Sequence, residues 1–490
     1  MFDSADLEHR MDKAQYQTEE PLLRRALLDA QYALASRPGF PVLIIIGGVD
    51  GAGKGETVNL LNEWMDPRHI HTHAFSEPTG EEAERPPMWR YWRVLPPKGN
   101  IGIFFGSWYT APLLRRVLGD DGQDALDSHV AAILRHERML VDEGVLLIKF
   151  WFHLSKDQQR KRLKALESDP KTRWRVTPDE WRRFRKYDRF RAVSADVVRQ
   201  TSTAGAPWIV VPGADHRYRS ITAGRILLEA LQARLAHVPE VHTEAPAPLP
   251  QLENVKLLRD LDLGKKLGKR RYERRLEKLQ GELNLLSRAK RFRHRALAVV
   301  FEGSDAAGKG STIRRVTAAL DARFFRVIPI AAPSEEERAH PYLWRFWRHL
   351  PPHGRVTLFD RSWYGRVLVE RVEGFCAQPD WMRAYSEINH FEDQIAASGT
   401  VLSKFWLQIS PEEQLRRFKE REDIAHKRFK ITADDWRNRE RRDAYEAAVA
   451  DMVDRTSSHS APWTLVEAED KNFGRIKVLQ TLVDQLDAAL

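Results

Sequence analysis

Along the whole chain, short apolar runs rich in Val, Ile and Phe alternate with longer stretches whose apolar residues recur every three or four positions. In the rear half the short runs fall at 297–302, 326–330, 356–360, 401–409 and 463–467. Each is strand-length, and helical patterns separate them, so the pattern predicts five parallel strands in an α/β layer arrangement. Ahead of the first run, Tyr272, Leu276, Leu279, Leu283 and Leu286 recur at helical spacing among many Lys and Arg. That spacing predicts an amphipathic helix whose leucines enter the core and whose basic residues from Lys265 to Arg275 either form a solvated face or attract phosphate.

The same pattern occurs twice. At a constant offset of 255 residues, GGVDGAGKGETV from Gly47 answers EGSDAAGKGSTI from Glu302, and RPPMWRYWRVLPPKGN from Arg85 answers HPYLWRFWRHLPPHGR from His340. SWY at Ser107 and Ser362, KFW at Lys149 and Lys404, and APW at Ala206 and Ala461 keep the register. A period this long means a duplicated domain rather than a solenoid. The proline-bearing stretch 237–251 reads as a linker. The predicted organisation is one domain over 1–240, a linker over 241–251 and a second domain over 252–490.

Composition narrows the function classes. The chain has 490 residues, 42% of them hydrophobic, 15 tryptophans and a single cysteine, Cys376, so it can build large cores and has no internal disulfide framework. The absence of a membrane-length apolar run and of a basic, apolar leader at the start leads us to expect a cytoplasmic protein. Lys and Arg number 79 against 69 Asp and Glu, a net charge of +10, which suits a polyanionic partner: nucleic acid, a membrane surface or chained phosphate.

Chemistry concentrates in the rear copy. The apolar run ending at Glu302 leads into Gly303-Ser304-Asp305-Ala306-Ala307-Gly308-Lys309 and then a predicted helix over 310–320. This is a GxxxxGK loop between strand and helix, where amide hydrogens, a helix N-terminus and the lysine converge on an oxyanion. Gly303, Gly308, Lys309, Gly310, Ser311 and Thr312 are therefore the candidate phosphate ligands. Gly310 replaces the Ser or Thr that usually follows the lysine and holds the metal, so metal binding must move elsewhere. Asp305 either holds Mg²⁺, acts on an acceptor phosphate or stabilises the turn. Asp360, at the carboxyl end of a predicted strand, is the main Mg²⁺ candidate, with Glu370 as a supporting ligand or an ordinary helix carboxylate. Arg361 and Arg366 flank Asp360 as catalytic candidates, since guanidinium groups spread transition-state charge. The basic stretch from Arg416 to Arg442, including Arg417, Arg428 and Lys430, is expected to form a phosphate-gripping lid that excludes water. Trp344, Trp347, Trp363 and Tyr364 are either base-stacking or packing residues.

Together GxDxxGKG at 303–310, PSEEE at 333–337, LWRFW at 343–347, DRSWYGR at 360–366 and APW at 461–463 resemble the family-2 polyphosphate kinases, in particular their tandem two-domain branch. The resemblance covers nearly the whole chain. It implies two tandem P-loop kinase-like three-layer α/β/α domains, each with a helical lid. It also implies Mg²⁺-dependent phosphoryl transfer from inorganic polyphosphate to AMP, giving ADP. The basic balance then serves polyphosphate rather than nucleic acid or membrane, and self-association is left open. Phosphorylation of ADP or its reverse, a kinase using ATP as donor, and a non-catalytic polyanion-binding module are the competing readings. The front copy keeps Gly48, Asp50, Gly53, Lys54 and Thr57, but Phe105, Gly106, Ala111 and Arg115 stand at the positions of Asp360, Arg361, Arg366 and Glu370. Phe105 cannot hold Mg²⁺, so the front copy is expected to be catalytically silent, retaining roles in packing and in extending the polyphosphate surface.

Overall fold

The computed structural model describes residues 2–237, 255–424 and 431–490. Most of the expected linker, together with Arg428 and Lys430, lies outside the described residues. Contacts divide the chain into two compact units, one of Met1–Pro78, Arg90–Val241 and Ser334–Trp344, the other of Thr79–Trp89, His242–Pro333 and Arg345–Leu490.

The first unit holds a five-stranded parallel sheet of β1 (Val42–Gly48), β2 (Ile70–Ala74), β3 (Ile101–Phe105), β4 (Leu146–His153) and β5 (Trp208–Pro212), in the order β2-β3-β1-β4-β5. The second unit repeats it with β6 (Ala296–Gly303), β7 (Phe325–Pro329), β8 (Val356–Asp360), β9 (Thr400–Gln408) and β10 (Trp463–Glu467), in the order β7-β8-β6-β9-β10. Every rear strand predicted from the pattern is present, shifted by a residue at most at either end. The central strands are mostly apolar because helices cover both faces of each sheet; seven residues of β6 are buried. The helix Lys269–Arg288 inserts Tyr272, Leu279 and Leu283 into the core and packs against Lys471–Ala489. Among the described residues no helix is long and apolar enough to cross a membrane.

The SWY and KFW segments build one buried polar knot per copy. Lys404 Nζ donates to Glu392 Oε2 at 2.6 Å, to the Thr456 carbonyl at 2.7 Å and to Tyr364 Oη at 2.9 Å. Tyr364 Oη and Trp363 Nε1 donate to Glu392 Oε1 at 2.6 and 2.9 Å. Lys149, Glu137, Thr201, Tyr109 and Trp108 repeat the arrangement in the front copy. A buried charge is tolerated only when paired and hydrogen-bonded, which accounts for the spacing of these motifs. Trp344, Trp347, Trp363 and Tyr364 are all buried, so of the two readings of these aromatics the structure selects packing.

Candidate active site

In a parallel sheet all carboxyl ends lie along one edge, and the rear loop leaves β6 there. Gly303 permits the departure: a Cβ on it would fall 2.5 Å from the Leu407 carbonyl oxygen. Gly308, at φ +108°, caps the helix Lys309–Thr317 in the left-handed region. Lys309 Nζ donates to the Gly303 carbonyl at 2.7 Å. Above the loop lies a cavity of about 610 Å³ lined by Asp305 through Ser311, Asp360 and Arg361, by Arg314 of the same helix, and by cations from two further helices: Arg417 and Arg421, and Lys471 and Arg475.

A second, smaller cavity of about 110 Å³ adjoins on the other side of Asp305, lined by Glu302, Gly303, Trp406, Gln408, Asn438, Tyr445 and Glu446 among others. Asp305 and Arg361 line both cavities. Arg361 Nη2 lies 3.3 Å from Asp305 Oδ1, and Asn438 Nδ2 donates to Asp305 Oδ2 at 2.9 Å. Burial alone would lower the pKa of the Arg361 guanidinium, but Asp305, Glu302, Asp360 and Asp435 outweigh it and push it up. Arg361 stays charged. Its backbone is held at φ +67°, and Ala306 in the loop at φ +63°, the two non-glycine residues with positive φ among the described residues. At the same positions the front copy has Gly106 and Gly51, at φ +78° and +81°.

Several residues predicted for the site have other partners. Arg417 is buried, and its donors are committed: Nε to Glu413, Nη1 to the Ala306 and Ala307 carbonyls at 3.0 and 3.1 Å, and Nη2 to the Ala468 and Glu469 carbonyls at 2.9 and 2.7 Å. A guanidinium has five N–H groups, so Arg417 braces the loop from behind instead of gripping phosphate. Thr312 is buried and turns its hydroxyl back to the Gly308 carbonyl at 3.1 Å, without lining the cavity. Ser311 and Gly310 do line it. Arg366 pairs with Glu370 at 2.8 Å, and neither lines either cavity, which separates both from Asp305 and Asp360. Elsewhere in the basic stretch, Arg416 pairs with Glu413 and Glu420, Arg437 with Glu373, and Arg442 with Glu446, so much of that charge is neutralised locally.

Among the described residues no group of three or more His, Cys, Asp or Glu could hold a metal ion. Of the carboxylates lining the large cavity, Asp305 belongs to the loop itself and Asp360 to the neighbouring strand end, with Oδ2 3.9 Å from where a Cβ on Gly310 would stand; Glu420 and Asp435 come from two later helices. Two carboxylates beside a phosphate cradle fit Mg²⁺, which commonly takes one or two carboxylates with phosphate oxygens and waters.

Glu302, Asn438, Arg314, Arg421, Lys471 and Arg475 also stand at the cavities, and of these only Arg421 was expected to meet phosphate, as part of the basic stretch. Glu302 is buried at the end of β6 and accepts from Ser362 Oγ at 2.8 Å. Burial pushes its carboxyl pKa up, against the opposing pull of Ser362, Lys309 and Arg361. A signal for most of these existed: at the 255 offset the front copy has Gly47, Arg183, Asn59, Leu166, His216 and Ser220 in their places. The expected extension of the polyphosphate surface therefore lacks four of its cations at equivalent front positions.

A lysine-bearing glycine loop at the carboxyl edge of a parallel sheet, facing a cavity lined by cations and by the carboxylates of Asp305, Asp360, Glu420 and Asp435, defines a phosphate-loop phosphotransferase of the α/β class. Comparison with known proteins makes this narrower. The model of the family Polyphosphate kinase 2 matches residues 10–239 and 266–490, and the chain belongs to that family. A protein of Pseudomonas aeruginosa named Polyphosphate:AMP phosphotransferase is 57% identical over 491 residues, covering 100% of this chain and 99% of the relative. One of the same name from Pseudomonas syringae pv. tomato is 52% identical over 100% and 99%. The crystal structure of a polyphosphate kinase 2 from Pseudomonas aeruginosa PA01 superposes with a TM-score of 0.90 at 54% identity, covering 100% of this chain and 99% of that one.

Proposed function

We propose that this protein transfers a phosphoryl group from inorganic polyphosphate to AMP, giving ADP, at a single site in the rear copy. The observation that carries the reading is the meeting of two cavities at Asp305 and Arg361. The larger, with Lys309, Arg314, Arg421, Lys471 and Arg475 around the loop, suits a chain of phosphates; the smaller, less charged one suits the nucleotide. An AMP phosphate oxygen attacks the terminal phosphorus of the polymer. A new P–O bond forms as the bond to the rest of the polymer breaks, leaving ADP and a polymer shorter by one unit. Arg361, charged and held by Asp305, spreads the developing charge, while Asn438 keeps the second oxygen of Asp305 in place. Asp305 and Asp360 would hold Mg²⁺, which neutralises phosphate charge when bound. Relatives matching the full length carry the AMP name, which supports AMP as acceptor.

The front copy, with Phe105 for Asp360 and Gly106 for Arg361, is catalytically silent in this reading. The test supplies purified protein with AMP, Mg²⁺ and polyphosphate, without ATP, and follows ADP by chromatography. ADP should form, Asp360→Ala should abolish it, and Asp50→Ala should leave most of it. ADP appearing only when ATP is added, or equal losses from the two substitutions, defeats the proposal.

A further inference from the structure

In the front copy the chain's own side chains occupy the positions that the rear copy leaves open as cavities. In the rear loop, a Cβ on Gly308 would meet nothing but Ser311 Oγ at 3.4 Å, because that space belongs to the large cavity. In the front loop the same space is filled: a Cβ on Gly53 would lie 2.1 Å from Arg219 Cζ and Nη1. Arg219 is buried, donates to the Gly213 carbonyl at 3.1 Å and pairs with Glu56 at 2.5 Å; Arg162 pairs with the other oxygen of Glu56 at 2.7 Å. The rear copy has Gly474 for Arg219 and Ser311 for Glu56, small residues that leave the cradle open.

The second cavity's counterpart is filled as well. In the rear copy Trp406, Gln408 and Glu446 line it. The front counterparts are Trp151, His153 and Arg191, and all three are covered by the segment at residues 2–6. Phe2 is buried and its ring stacks on His153 and Trp151, with centroids 4.6 and 5.8 Å away. Asp6 accepts from His153 Nε2 at 2.9 Å, and Arg191 reaches Asp3 and Asp6 at 2.8 and 3.2 Å. An aromatic ring with two carboxylates thus lies where the rear copy leaves room for a base and its phosphate.

We infer that the front copy is a self-occluded site: the Arg219–Glu56 pair closes its phosphate cradle and residues 2–6 close its nucleotide pocket, so the chain takes one set of ligands rather than two. This rests on the proposed use of the rear cavities, because they define what the front positions would otherwise bind. The occlusion also gives a physical cause for silence beyond the missing Asp360 and Arg361 equivalents, since it blocks binding and not turnover alone.

Hydrogen exchange of the full-length protein, read peptide by peptide with inorganic tripolyphosphate and with AMP, tests this. In the unaltered protein, tripolyphosphate should slow exchange across 303–314 and leave 48–59 unchanged, and AMP should leave 149–153 unchanged. Protection of 48–59 by tripolyphosphate, or of 149–153 by AMP, overturns the inference. The double variant E56S/R219G should acquire tripolyphosphate protection at 48–59, and adding Lys54→Ala should remove it. A double variant whose other peptides exchange normally, but whose 48–59 segment gains nothing, overturns the inference too. If R219G disturbs folding, the unaltered protein still decides. Absence of protection at 303–314 would instead defeat the proposed function, while gain at 48–59 in the double variant would still uphold the occlusion.

Discussion

Arg361→Gly separates what the active site costs from what it does. Arg361 sits at φ +67°, where a side chain costs about 1–2 kcal/mol relative to glycine. Its pair with Asp305 is half exposed on the arginine side and contributes about 0–1 kcal/mol. Removing both leaves the protein between unchanged and about 2 kcal/mol more stable, a rise of at most roughly 4–8 °C in melting temperature for a domain of this size. Loss of a charge-spreading arginine costs roughly 10³–10⁵ in phosphoryl-transfer rate, or about 4–7 kcal/mol of barrier. Differential scanning calorimetry and initial rates of ADP formation measure the two effects on one sample. The front copy supplies the reverse experiment: Gly106→Arg should destabilise, because a Cβ there would approach the Phe75 carbonyl oxygen to 2.8 Å. A fall in melting temperature of several degrees for Arg361→Gly, or a rate within tenfold of the unaltered enzyme, would refute the reasoning.

Three other outcomes follow from the packing. Lys404→Ala strips the partner from buried Glu392 and should cost about 3–5 kcal/mol in denaturant unfolding, with Lys149→Ala showing the same loss in the front copy. Hydrogen bonds from Arg416 and Arg417 hold the Glu413 carboxyl at a pKa of about 2, below its ordinary 4.5. The stability it contributes is therefore complete above pH 4.5 and lost as pH falls from there toward 2; Glu413→Gln should flatten that part of the pH–stability curve. Arg417→Lys, which cannot span four carbonyls at once, should loosen the loop and raise the KM for polyphosphate more than that for AMP.

The fold was legible because both signals behind it are local. Strand-length apolar runs and the glycine loop each act within a dozen residues, and duplication let each copy check the other. The site was legible only in part. Asp305, Lys309, Asp360 and Arg361 follow from the loop and the strand end, and all line the large cavity. Thr312, Arg366 and Glu370 line neither cavity, and Arg417 lines the large one with its donors already engaged, for a common reason: a sequence shows which donors exist, not which acceptors claim them first. Arg417 is taken up by carbonyls from two distant loops, and Glu370 by the arginine one helical turn away. Arg421 comes from the helix Pro411–Asp423 and Lys471 and Arg475 from the helix Lys471–Ala489, so they converge only in three dimensions, yet each has an uncharged counterpart or a histidine 255 residues earlier.

The lysine–glutamate–tyrosine–tryptophan knot persists in both halves with matching lysine–glutamate and tyrosine–glutamate distances, whether or not the neighbouring strand end carries a carboxylate. Genome surveys keyed to SWY or KFW would therefore count both kinds of copy alike and, on the proposed function, overstate the number of enzymes. The two letters preceding SWY, aspartate and arginine in one half and phenylalanine and glycine in the other, are what such a census should read.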